Sequence, residues 1–197
     1  MTFQRTTAWA LLISMAGCAT APEAPSPKSL LVADMKRATD HHSYSKPDEA
    51  AITHLDWSAR VDFERRQIDA TASYDIATSA DARRLMLDCR DLEIHKVFVD
   101  GKQVDFELGP SNAFLGQPLS IPISPASKRV SVSYTTSPEA AAFLWVEGDS
   151  PFLFTQSQAI LARSWVPCQD SPGVRFTYNA EVQVPPQLMA LMSATNP

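Results

Sequence analysis

The chain predicts an all-β fold, a saddle-like β-sandwich of antiparallel strands preceded by a signal peptide and a flexible tether. Three features lead there: runs that alternate polar and apolar residues, turn-forming residues between those runs, and fifteen prolines gathered in the tether and between the runs, where a missing amide donor does least harm. Short strands with regular turn signals fit a sandwich or saddle better than alternating β-α units.

At the amino terminus Arg5 precedes an apolar run, AWALLISM over 8–15, which is closed by Ala16, Gly17 and Cys18. A run of eight residues is too short to span a bilayer and has the shape of a secretory signal. A cysteine directly after small residues resembles the bacterial lipobox, so 1–18 is expected to be a lipoprotein signal peptide with Cys18 as the lipidated residue. Ordinary cleavage near Ala19 or Ala21 is the alternative. Residues 19–33 carry TAPEAPSPKS and read as an extended tether, rich in proline and small side chains. The expected localisation is exported and membrane-anchored, in the periplasm or at the outer membrane, with the membrane engaged through the lipid on Cys18.

Residues 34–197 have the length of one ordinary domain. HLDWSARVDF over 54–63 alternates as a half-buried strand should, ERRQ over 64–67 is a polar turn, and IDATASYDI over 68–76 alternates again, so a hairpin is predicted. Leu85 to Asp88 is a short apolar strand. In LEIHKVFVDGKQVDF over 92–106, Asp100-Gly101 tolerates the positive φ angles of a type I′ turn, which pairs 97–99 with 103–106. Further strands are expected over 119–123, 130–134, 174–184 and 188–192, and PEAAAF over 138–143 hints at a helical turn.

Composition narrows the function. The chain is 45% hydrophobic and 20% charged, which is enough apolar material for a core and too much charge for a membrane-embedded protein. Its net charge of −5 offers no basic patch for nucleic acid, so no nucleic-acid partner is expected. No pair among His41, His42, His54 and His95 has the H-E-x-x-H spacing of a zinc helix, and no metal-binding residues are assigned. The acidic cluster Asp88, Asp91 and Glu93 lacks the closely spaced oxygens of a calcium loop. There is no G-x-S-x-G elbow and no phosphate-binding glycine loop, and Cys168 beside Asp170 has no histidine near it in sequence. No catalytic residue is assigned. Cys89 and Cys168 stand either as a disulfide in an exported protein or as two separate buried thiols.

The densest information lies over 152–185, FLFTQSQAILARSWVPCQDSPGVRFTYNAEVQVP. Gln156 and Gln158 are two residues apart and project to one side of an extended segment, with Thr155 and Ser157 on the other. That face offers two neutral amides, each a donor and an acceptor, suited to gripping a peptide backbone. An exposed strand with polar residues outward is the other reading.

Four segments, in order, carry a resemblance. They are HSYSKPDEA with HLDWSARVDFERR, then LMLDCRDLEIHKVFVDGKQVDFELG, then SPEAAAFLWV, then FLFTQSQAILARSWVPCQDSPGVRFTYNAEVQVPPQLMALMSA. From about Asp40 to its end the chain resembles the amino-terminal domain of the zinc aminopeptidases of peptidase family M1, in the branch of leukotriene hydrolase and aminopeptidase B. The resemblance implies a saddle-like β-domain that forms one wall of the substrate cleft over a thermolysin-like catalytic domain. It implies that Gln158, the second glutamine of the Q-x-Q-A segment, holds the substrate's amino terminus, with Gln156 beside it and Ala159 on the same wall. Zinc is implied for the following domain and no cofactor for this chain. Peptide amino termini and the chain's own catalytic domain are the implied partners. Since the sequence stops at Pro197, the chain is expected to be a fragment of a membrane-tethered aminopeptidase and inactive alone. The alternative is a non-catalytic lipoprotein β-domain that binds peptide or protein along 156–159.

Overall fold

The computed structural model describes residues 40–196; Cys18, the signal-peptide and tether expectations lie outside the described residues. Eleven strands form: β1 (Ala50–Asp62), β2 (Gln67–Thr78), β3 (Arg84–Cys89), β4 (Leu92–Val99), β5 (Lys102–Val104), β6 (Glu107–Leu108), β7 (Gln117–Pro122), β8 (Arg129–Thr136), β9 (Phe143–Val146), β10 (Phe152–Thr155) and β11 (Thr177–Gln183). They make a six-stranded sheet ordered β11-β1-β2-β8-β4-β5, a three-stranded sheet β3-β7-β6, and the two-stranded pair β10-β9. The all-β class is as the sequence predicts. Every pairing is antiparallel except β1 with β11, which run parallel.

Alternation puts one face of β1 and β2 in the core. Leu55, Trp57, Ala59, Ile68, Ala72, Tyr74 and Ile76 are buried, while the residues between them face out. Leu85, Leu87, Leu119 and Ile121 of the three-stranded sheet join the same hydrophobic cluster, so the two sheets share one core. The β4–β5 hairpin turns at Asp100 (φ 49°) and Gly101 (φ 80°), the two positive φ angles a type I′ turn needs. Its second strand ends at Val104 and not at Phe106.

Three elements differ from expectation. Residues 188–192 form no strand: Leu188 donates its amide to Pro185 O, and Met189 and Leu191 are 75% and 69% exposed. The strand expected over 174–184 begins only at Thr177, because the Val174 amide closes a turn onto Ser171 O. PEAAAF makes two reverse turns, Ala140 N to Ser137 O and Phe143 N to Ala140 O, that lead into the β9–β10 hairpin. Those strands are four residues each, too short for periodicity to declare them.

The parallel strand β11 is tied down by side chains on the outer face. Thr177 Oγ1 meets His54 Nδ1 at 2.7 Å, and Asn179 Nδ2 donates to Asp56 Oδ1 at 3.1 Å. Arg129 then bridges Asp56 and Asp75 at 2.6 Å each. The Arg129 hydrogen bond, before those from Asn179 and His54, draws the Asp56 carboxyl down to about 2. A depressed folded pKa makes this tie effective above the ordinary carboxylate range; it weakens as pH falls toward 2.

Candidate functional site

Three depressions stand out. One, of about 540 Å³, lies on the outer face of the six-stranded sheet and is polar, lined by Ser58, Arg60, Asp69, Thr71, His95 and Ser133 among others. Here His95 Nε2 meets Thr135 Oγ1 at 2.8 Å, and Thr135 donates to Asp69 at 2.7 Å. The sequence alone named no partner for His95. Because the threonine proton goes to Asp69, the hydroxyl must accept from His95, which leaves this imidazole as a structural donor. A smaller apolar groove of about 150 Å³ runs between Val61, Phe63, Phe152 and the tail residues Leu188 to Met192.

The third depression, of about 620 Å³, lies where β10, β1, β11 and the tail meet. Leu55, Trp57, Leu153, Trp165, Phe176 and Tyr178 give it apolar and aromatic walls, and Thr155, Gln156 and Ser157 supply polar groups. An apolar cavity with a few convergent polar groups is the usual form of a small-ligand or side-chain site, and we take this wall as the candidate site.

The glutamine segment has a different geometry from the extended one the spacing predicts. Strand β10 stops at Thr155, and Gln158 and Ala159 sit in a turn with a cis peptide bond between them. The cause is local: Gln156 Oε1 accepts the amide proton of Gln158 at 3.0 Å, a side-chain-to-backbone bond that competes with strand pairing. Gln156 and Ser157 line the cavity; Gln158 and Ala159, next along the chain, are not among its lining residues, and like Gln156 they are exposed. The Gln158 side chain has no hydrogen-bond partner among the described residues.

The Pro-Cys-Gln-Asp-Ser-Pro turn is internal scaffolding. Tyr74 Oη donates to Pro167 O. The backbones of Cys168 and Asp88 exchange bonds of 2.7 and 3.1 Å. Gln169, 2% exposed, accepts from Ile52 N at 2.9 Å and donates to Ala50 O at 2.8 Å, which clamps the start of β1. Asp170 accepts from Arg163 Nε at 3.0 Å. Arg163 is fully buried and also donates to Leu115 O, His42 O and Asp170 O, while Asp88 lies 3.8 Å away.

Cys168 and Cys89 are both free and buried. Burial pushes the Cys89 thiol up to about 12 and raises Cys168 well above the ordinary thiol range, the reverse of what a nucleophile requires. Asp88 faces inward, held by Ser43 Oγ and by the amides of Tyr44 and Asp170; burial, the largest influence, nevertheless lifts its carboxyl. Asp91 and Glu93 are exposed, so the acidic cluster does not converge. Among the described residues no group of three or more His, Cys, Asp or Glu is placed to hold a metal ion. The described residues therefore do not furnish a zinc site. Trp57, Trp165, Phe176 and Tyr178, which shape the cavity, are not among the residues read from the sequence as a site; their only trace there is aromatic enrichment on strand-like segments.

A family model described as the peptidase M1 N-terminal domain matches residues 51–196. The chain belongs to that family. Leukotriene A-4 hydrolase of Xenopus laevis is 40% identical to this M1 domain over 167 residues, 79% of the chain and 27% of the relative. Leucine aminopeptidase 2 of Candida albicans is 38% identical over 130 residues, 64% of the chain and 21% of the relative. The structure of native yeast LTA4 hydrolase superposes with a TM-score of 0.70 at 25% identity, covering 80% of the chain and 26% of that protein. An M1 zinc metallopeptidase from Deinococcus radiodurans, 16% identical, shares the fold with a TM-score of 0.56. This M1 domain thus spans about a quarter of the length of these relatives.

Proposed function

We propose that this chain forms the substrate-cleft wall of a zinc metalloaminopeptidase that removes amino-terminal residues from peptides. The metal chemistry would come from a catalytic domain outside the residues described, and the chain alone would be inactive. The observation that carries the reading is the exposed side-chain amide of Gln158, without a hydrogen-bond partner among the described residues and next in sequence to Gln156 and Ser157, which line an aromatic cavity. Its oxygen accepts a hydrogen bond from a substrate ammonium, and the cavity alongside has the apolar character to receive a side chain. Family membership and relatives named as aminopeptidases support the same substrate class.

The test uses the protein that joins this domain to its catalytic domain. Gln158→Ala should lower kcat/KM for an aminoacyl anilide about 10- to 100-fold, the worth of a hydrogen bond to a charged group, without shifting the thermal midpoint. Unchanged kinetics would remove Gln158 from the substrate site. We also propose an exported, lipid-anchored protein, on the strength of AWALLISM followed by Ala-Gly-Cys. Replacement of Cys18 by serine should release it from the membrane fraction and abolish fatty-acid labelling; persistent labelling would reject the anchor.

A further inference from the structure

Among the described residues the Gln158 side chain has no hydrogen-bond partner, yet a hydrogen-bond acceptor is useful to a substrate only if its direction is fixed. Besides the bond from Gln158 N to Gln156 Oε1, three contacts hold the turn that carries it. Gln156 N donates to Ala142 O at 2.8 Å and Leu161 N donates to Ser157 O at 2.9 Å, bonds between backbone groups that most sequences could make. The third depends on two particular side chains: Trp165 Nε1 donates to Ser157 Oγ at 3.1 Å. Ser157 lies between the two glutamines.

Behind this bond stands a rigid chain into the core. The Trp165 ring meets the Trp57 ring edge-on, with centroids 5.2 Å apart and planes at 90°. Trp57 Nε1 donates to Tyr134 Oη at 2.9 Å, and Tyr134 Oη donates to Trp165 O at 2.8 Å. Trp57 and Tyr134 are 5% and 1% exposed, so the brace is anchored in packed interior. Gln156 works from the other side: its oxygen is engaged by the Gln158 amide, which leaves its NH2 group as the chief contact it can offer to the cavity.

We propose that Ser157 and Trp165, together with the Gln156 carbonyl, are positioning residues that fix the 156–159 turn and hence the direction in which Gln158 meets an incoming amino terminus. The two glutamines then divide the work, Gln156 holding the turn and Gln158 contacting substrate; the second half of that statement rests on the function proposed above.

The brace is tested first on the full chain by 15N relaxation. Ser157→Ala should drop the order parameters of residues 156, 158 and 159 from the rigid range of about 0.85 to below about 0.6, with the rest of the domain and the urea midpoint little changed. Ser157→Thr, which keeps the hydroxyl, should restore them. A turn that stays rigid in Ser157→Ala, or that is already mobile in the parent chain, would overturn the brace. Trp165→Phe should reproduce the effect, and since that change also touches the core, Ser157→Ala decides the matter. In the protein with its catalytic domain, Ser157→Ala should raise KM about fivefold with kcat nearly unchanged, the worth of one neutral hydrogen bond. If the turn loosens but neither Ser157→Ala nor Gln158→Ala alters KM, the substrate role of Gln158 fails while the brace stands. If Gln158→Ala impairs activity and Ser157→Ala leaves the turn ordered, the brace fails alone.

Discussion

Replacing Arg163 with alanine should destabilise the domain by about 3–5 kcal/mol, a fall in thermal midpoint of roughly 10–15 °C for a domain of this size. The guanidinium is fully buried and spends its donors on Asp170 Oδ2 and on the carbonyls of Leu115, His42 and Asp170, with Asp88 at 3.8 Å. Its removal leaves two acidic groups and three carbonyls, buried or partly buried, without their donor. The magnitude comes from that uncompensated charge and not from a favourable net energy of the ion pair, because desolvation consumes most of the Coulomb attraction of a buried pair. The same reasoning predicts partial rescue: Arg163→Met combined with Asp88→Asn and Asp170→Asn should recover part of the loss by removing the stranded charge. Thermal unfolding of the parent, Arg163→Ala and the triple variant measures this. A loss under about 1 kcal/mol for Arg163→Ala would show that the cluster is hydrated and that its charges are not truly buried.

Gln169→Ala should cost about 2–4 kcal/mol, the second largest effect. The side chain satisfies the amide of Ile52 and the carbonyl of Ala50, residues that are 2% and 1% exposed. Both backbone groups fall at the beginning of β1, before the bulge between Ile52 and His54, where the regular ladder with β2 is interrupted. No neighbouring strand is available to take over the bonds, so the truncated protein buries two unpaired polar groups. Amide exchange localises the effect. The Ile52 amide should lose protection by far more than amides in the middle of β2, and the urea midpoint should fall. Equal loss of protection in both strands would mean that Gln169 acts on global packing and not as a clamp. Gln169→Glu in its ionised form keeps an acceptor for Ile52 and loses the donor for Ala50, so it should fall short of the parent protein at neutral pH; protonation restores an O–H donor and should recover part of the loss.

These two residues mark where sequence reading stopped. Arg163 stands in AILARSWV, an apolar run in which a lone cation is out of place, and Asp170 follows seven residues later; the pattern was visible without its meaning. The Pro-Cys-Gln-Asp-Ser-Pro segment lies within the 152–185 stretch that drew attention in the sequence, and it is a fastening of the core. For the strands the sequence served better. The β1–β2 hairpin was legible because one face of each strand is buried and the other wet, which writes a period of two into the residues. Asp100-Gly101 was legible because positive φ is costly for most side chains. The β9–β10 hairpin was not, since Leu144, Phe152 and Phe154 are 57%, 50% and 52% exposed and so break the inside-outside rule.

The amino-acid sequence by itself determined the all-β class, the first hairpin, the type I′ turn, the family and the importance of the 152–185 region. All of these follow from local periodicity, local backbone preference or residues in fixed order. Tertiary structure alone decided which groups in that region are exposed and which face the core. Gln169, Arg163 and Cys168 turned inward because burial and distant partners, among them Ala50, Leu115 and Asp88, claimed their hydrogen bonds. The Gln156 side-chain oxygen was drawn onto the Gln158 amide, and the Gln158 side chain was left without a hydrogen-bond partner among the described residues. Such choices rest on contacts between residues dozens of positions apart, and no short-range pattern encodes them.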